Sequence, residues 1–176
     1  MIKLTIKVII SALIIICSSL LGLIYAKSYT ERTKLLNTLM GTLQLLESEI
    51  VYCATPLPFL LKKISKKNNS EIHRIFGKTV AILDEKKGHT FSEAWERAIK
   101  DETAYTVLKK EDIELLIHLG NSLGVSDIND QMKHIRLAME EIKRSYEASI
   151  IDANKNVRLY KNLGFLLGIT IVIILF

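Results

Sequence analysis

The chain has 176 residues, 49% of them hydrophobic, which leaves room for one ordinary domain plus membrane segments and is too little for a many-pass transporter. Its formal charge of +5 does not describe a nucleic-acid binder. Three of the 24 basic residues, Lys3, Lys7 and Lys161, flank apolar ends, and the other 21 alternate with 19 acids as on a solvated helical surface.

Residues 8–26 carry no charge. Nineteen residues at about 1.5 Å each span roughly 28 Å, close to the thickness of a bilayer's hydrocarbon core. Lys3 and Lys7, with Ile24-Tyr25-Ala26 as a passable cleavage site, also fit a signal peptide. The run exceeds the usual apolar core of such a peptide, and helical periodicity continues through Ala26, so a retained anchor over residues 1–26 is expected. Cys17 follows Ile14, Ile15 and Ile16 rather than the small residue a lipid-modified cysteine requires, and Cys53 is too far along the chain to suggest a disulfide with it.

From Leu36 the apolar positions run Leu36, Leu39, Leu43, Leu46, Ile50, Cys53, alternating three and four apart, which predicts a coiled-coil-like seam on a helix over residues 32–54. Thr55-Pro56 stops it, and Pro56 suits the first turn of a second helix facing inward through Leu57, Leu60, Leu61 and Ile64. After a loop at 66–70, Ser70 caps a third helix carrying Ile72, Ile75, Phe76, Val80 and Leu83, with Gly88 as its expected end. Thr90-Phe91-Ser92-Glu93 has capping-box spacing and opens a fourth, with Phe91, Ala94, Trp95 and Ala98 inward. A fifth, about residues 110–123, presents Ile113, Leu116, Ile117 and Gly120 and is expected to end at Gly124.

A second long seam starts at Ile128 and runs through Met132, Ile135, Met139, Ile142, Tyr146, Ser149, Ala153 and Asn156 to Tyr160. It leads into a final apolar stretch, residues 163–176, short enough that Leu159 and Tyr160 must join the span and Lys161 must snorkel. Lys27, Arg32, Lys34, Lys155, Arg158 and Lys161 all flank the middle segment, so residues 27–158 are expected to be cytoplasmic, with a second span over residues 159–176. The expected fold is all-α: a six-helix cytoplasmic bundle with its first and last helices continuing the N- and C-terminal transmembrane helices. The seams of residues 32–54 and 127–160 are expected to pair antiparallel.

No catalytic constellation is visible. His73, His89, His118 and His134 stand apart, without metal-ligand spacing. Gly120 and Gly124 bracket Asn121-Ser122-Leu123 but lack the lysine of a phosphate loop. The acid pairs Glu47/Glu49, Asp84/Glu85 and Glu140/Glu141 fall on polar helix faces, where solvation is their ordinary role. Within the spans Ser18, Gly22 and Ala26 recur every four residues and Gly164 and Gly168 form a GxxxG, a pattern that lets membrane helices approach closely.

Several stretches in order resemble the stage III sporulation protein AB family: Glu31-Arg32, Leu46-Glu47-Ser48-Glu49-Ile50-Val51-Tyr52, Thr55-Pro56-Leu57, Leu119-Gly120-Asn121-Ser122-Leu123-Gly124, Ser126-Asp127 with Gln131 and His134-Ile135, and Tyr160 through Gly168. The resemblance implies a cytoplasmic domain similar to type II secretion system F proteins. It also implies a place in the mother-cell membrane around the forespore, as part of a channel complex, beside a secretion-type ATPase and polytopic sporulation proteins. On that reading the chain is not an enzyme and has no cofactor. Membrane lipid and protein are its partners, nucleic acid is not, and the mixed charges around Glu47, Glu49, Asp127 and His134 are the expected docking surface. The alternative is a two-span signal sensor with a helical input domain, which the basic flanks oppose because such a domain would lie outside the cytoplasm.

Overall fold

The computed structural model describes residues 2–53, 55–67, 70–123 and 127–175. Among these are six helices and no strand: α1 (Ile2–Tyr52), α2 (Leu57–Ser65), α3 (Glu71–Asp84), α4 (Phe91–Thr103), α5 (Lys110–Ser122) and α6 (Ile128–Leu175). α1 and α6 are each long and apolar enough to cross a membrane and extend well beyond their apolar segments. The chain divides into two compact units, Met1–Thr33 with Ala148–Phe176, and Lys34–Glu147.

The second unit has one apolar core. Along α1 the seam buries Leu36, Leu39, Leu43 and Leu46 almost completely, and Ile50 closes it; along α6 Met132, Ile135, Ala138 and Ile142 do the same. A fully buried Leu or Ile contributes about 1.5–3 kcal/mol through removal from water, so these two stripes are a large share of what holds the unit together. Cys53, expected to extend the first stripe, is exposed because α1 ends at Tyr52. Ile128, expected to open the second, is 54% exposed at the first turn of α6. The final residue expected in the first helix, Ala54, lies outside the described residues, as do Gly124 and Ser126.

The short helices form between these stripes for local reasons. Pro56 stands just outside α2 and its carbonyl accepts from the N–H groups of Phe59 and Leu60 at 3.0 and 3.1 Å, while Pro58 occupies the first turn, where no donor is needed. Ser70 Oγ accepts the His73 N–H at the start of α3. At α4 the capping box is complete: Glu93 N–H reaches Thr90 Oγ1 and Thr90 N–H reaches the Glu93 carboxylate. α3 ends at Asp84, earlier than the Gly88 expected from sequence. The reversal begins at Lys86, which takes φ of 53° and donates its N–H to Leu83 O, and Gly88 follows with φ of 81°.

Antiparallel neighbours are stitched by polar contacts. Arg74 and Lys78 on α3 meet Glu102 and Asp101 on α4 at 2.9 and 2.8 Å. Trp95 on α4, 1% exposed, donates its indole N–H to Leu116 O on α5 at 2.7 Å and packs edge-on to Phe76 and stacked on Phe91. Leu119 and Gly120 on α5 complete that pocket, while Ile113 and Ile117, expected inward, are only partly buried.

Candidate docking interface and membrane hairpin

The end of α1 and the start of α6 frame an open cleft of about 490 Å³. Helical spacing places Ile128, Met132, Lys133, Arg136, Leu137 and Glu140 along one side of α6, and Val51 closes the cleft from α1. Three of its apolar side chains are unusually open for a packed domain: Ile128 at 54%, Leu137 at 51% and Val51 at 40%. Lys133 has no carboxylate partner among the described residues, and Arg136 Nε donates to Glu47 Oε1 at 2.7 Å. Glu140 pairs along its own helix with Arg144. An apolar floor with a mixed-charge rim is thereby left to solvent.

The four residues read from sequence as a docking surface have different uses. Glu47 lies at this cleft through Arg136. Asp127 caps α6, its carboxylate accepting the Asp130 N–H at 2.8 Å. His134 is half exposed, with Nε2 3.6 Å from Asp130 Oδ1, and it lines a smaller cleft of about 100 Å³ together with His118, a shared cleft that their separation in sequence did not signal. Glu49 must be corrected from a surface position to an internal joint. Its carboxylate is turned inward and accepts from Lys63 Nζ at 2.6 Å and Thr55 Oγ1 at 3.0 Å, fastening α2 to the end of α1. Those two hydrogen bonds, Lys63's first, hold the Glu49 carboxyl below its usual range, and the same contact raises the Lys63 ammonium. Among the described residues no three His, Cys, Asp or Glu side chains come together as a metal site.

In the first unit α1 and α6 lie against each other. Gly22 and Gly164 are so close that a Cβ on Gly22 would stand 2.6 Å from Tyr160 O and 2.9 Å from Gly164 Cα. A Cβ on Gly168 would meet Ile15 Cα at 2.9 Å, and Ser18 donates its hydroxyl to Gly164 O at 2.6 Å. Ala26 is 1% exposed. Further along, Tyr160 stacks on both Tyr25 and Tyr29, and Thr33 Oγ1 reaches Ser149 O at 3.3 Å. Partners on α6 fall in number as those on α1 rise, so the pair is an antiparallel hairpin whose small residues permit backbone contact.

Comparison with known proteins gives a consistent result. The family model for stage III sporulation protein AB matches residues 7–176. The stage III sporulation protein AB of Bacillus subtilis strain 168 is 34% identical over 170 residues, covering 96% of this chain and 98% of that protein. A solved structure of stage III sporulation protein AB is similar with a TM-score of 0.65 at 31% identity, covering 71% of this chain and 98% of that one.

Proposed function

The chain belongs to the stage III sporulation protein AB family, and from that premise we propose that it is a non-catalytic membrane component of a secretion-like channel complex between mother cell and forespore. Its helical domain docks a secretion-type ATPase from the cytoplasm and joins polytopic membrane partners in the mother-cell membrane. The observation that carries this reading is the unfilled cleft between α1 and α6. Ile128, Leu137 and Val51 supply the apolar contact that gives an interface its affinity, and Lys133 and Arg136 supply cations for an acidic segment of the partner. Arg136 is 67% exposed and Glu47 only 23%, so the pair opens to solvent on its arginine side, where Arg136 keeps guanidinium donors beyond the Nε used by Glu47 to offer a partner's acid.

The test is co-purification of the full-length protein, in detergent, with the ATPase of the same gene cluster. Wild type is expected to retain the ATPase with a dissociation constant of roughly micromolar or weaker, because co-assembly in the membrane raises effective concentration. Ile128→Glu with Leu137→Glu is expected to release it and to block spore formation while leaving the Trp95 environment native. Retention of the ATPase and normal sporulation by that variant, or ATP hydrolysis by the purified chain alone, would overturn the proposal.

A further inference from the structure

The hairpin of α1 and α6 holds a further cleft, of about 450 Å³, which the docking reading does not use. On α6, Asn154, Val157, Arg158 and Lys161 follow the three-and-four spacing of one helix face, Asn162 lies beside them, and Thr30 faces them from α1. The cleft thus presents one guanidinium, one ammonium, two side-chain amides and a hydroxyl, the set of donors that a phosphodiester accepts from.

Three further observations point to the chemistry of its ligand. No Asp or Glu follows Asp152 in the chain, and neither Arg158 nor Lys161 has an acid partner among the described residues, so their charges are unspent. The stacked Tyr25, Tyr29 and Tyr160 lie at the same stretch of the hairpin, where the apolar segments begin, and aromatic side chains of this kind mark the headgroup level of a bilayer. One turn beyond Lys161 in the apolar direction, Phe165 is 50% exposed on the same face, a surface suited to an acyl chain. Basic side chains scattered along a juxtamembrane segment would satisfy topology alone. Gathering two of them with three neutral donors around a single cavity, directly above an apolar face, does more than topology requires.

We propose that this cleft is a binding site for the headgroup of an anionic phospholipid, with Arg158 and Lys161 on the phosphate, Asn154, Asn162 and Thr30 on its oxygens and the glycerol, and the acyl chains along Phe165. The lipid then fixes the depth and rotation of the hairpin at the water–hydrocarbon boundary. The site is independent of the ATPase cleft and stands or falls separately from it.

The experiment is native mass spectrometry of the full-length protein released from mixed micelles containing equal phosphatidylglycerol and phosphatidylcholine. Wild type is expected to retain phosphatidylglycerol preferentially. Arg158→Gln with Lys161→Gln removes the charge-assisted hydrogen bonds to the phosphate and is expected to weaken that preference by about thirtyfold, about 2 kcal/mol at about 1.4 kcal/mol per decade. Lys27→Gln with Lys155→Gln removes the same charge from the same region without touching the cleft and is expected to keep most of the preference. Native Trp95 fluorescence in each variant shows that the helical domain remains folded. Equal loss in both double variants would mean diffuse attraction to the surface and would overturn the site, as would the absence of any preference in wild type. Displacement of the lipid by millimolar glycerol phosphate would show that a free phosphate compound is the ligand and would overturn the lipid assignment.

Discussion

Gly120 and Trp95 make the sharpest energetic claim in the fold. A Cβ at Gly120 would overlap Trp95 Cδ1 and stand 2.7 Å from Nε1 and 2.8 Å from Cγ, whereas ordinary contact begins at 3.4 Å. The Gly120→Ala variant therefore needs a shift between α5 and a ring that is already packed against Phe76 and Phe91. Overpacking of this kind costs about 1–3 kcal/mol, and loosening the indole N–H from Leu116 O adds about 0.5–1.5 kcal/mol. A net loss of about 2–4 kcal/mol follows, on the order of 10 °C in melting temperature for a unit of this size. Trp95 is the single tryptophan of the chain, so intrinsic fluorescence of the full-length protein in detergent reads both the melting temperature and the displacement of the ring. The internal control is Gly41→Ala on α1, where an added Cβ meets nothing within 4 Å; relief of glycine's backbone entropy is expected to raise stability there by about 0.5–1 kcal/mol. The same substitution thus has opposite signs at two helical glycines. A Gly120→Ala protein with unchanged melting temperature and emission would refute the claim that the ring presses on the α5 backbone.

Two other predictions concern charge and topology. His73 is buried, with Nδ1 2.6 Å from Ser70 Oγ and Nε2 without a partner among the described residues; burial first, and the nearby Lys67 second, lower its pKa from the ordinary 6.5. Its folded form resists protonation that the unfolded chain accepts, so its contribution is whole above about pH 6.5 and is lost as the pH falls from there through the folded pKa; melting temperature against pH should slope less over that window in His73→Gln, and an identical slope would sink the idea. For topology, Lys86→Cys in a background with both exposed native cysteines replaced (Cys17→Ser and Cys53→Ser) should be labelled by a membrane-impermeant thiol reagent only after cell lysis, whereas labelling of intact cells would reverse the orientation and favour a sensor.

Periodicity made the two long stripes legible because burial on a helix repeats every three or four residues whatever the partner is: Leu36 to Ile50 and Met132 to Ile142 are core for that reason. It failed where a helix boundary intervened. Cys53 keeps the spacing but falls beyond the end of α1, and Ile128 keeps it but opens α6 with a side of the cleft before it. The capping box at Thr90 was readable because all of its partners lie within four residues. The Gly120–Trp95 contact was not, because neither residue marks the other across 25 positions. The cleft that His118 and His134 share is hidden in the same way, since residues of both α5 and α6 line it. The lipid cleft is half legible: Arg158 and Lys161 stand out in the sequence as topology signals, yet their facing partner Thr30 is more than a hundred residues away.

Glu47 and Glu49 show why a docking surface is harder to read than a core. Two residues apart on one helix, they point in different directions, and nothing in Leu46-Glu47-Ser48-Glu49 distinguishes them. The difference comes from their partners. Glu49 is enclosed by Lys63 and Thr55 from the adjoining turn and α2, so it fastens two elements and has little left to offer a protein outside. Glu47 meets Arg136 across 89 positions, in a pair whose arginine side chain is 67% exposed. The exposed guanidinium keeps donors beyond its contact with Glu47, and the neighbouring Lys133 has no acid partner among the described residues, so this face has a net appetite for negative charge beside exposed Ile128 and Leu137. Polarity alone marks both glutamates as surface. Whether a charge is closed inside the fold or left available is decided by contacts distant in sequence, and the cleft gathers the available ones around an apolar floor.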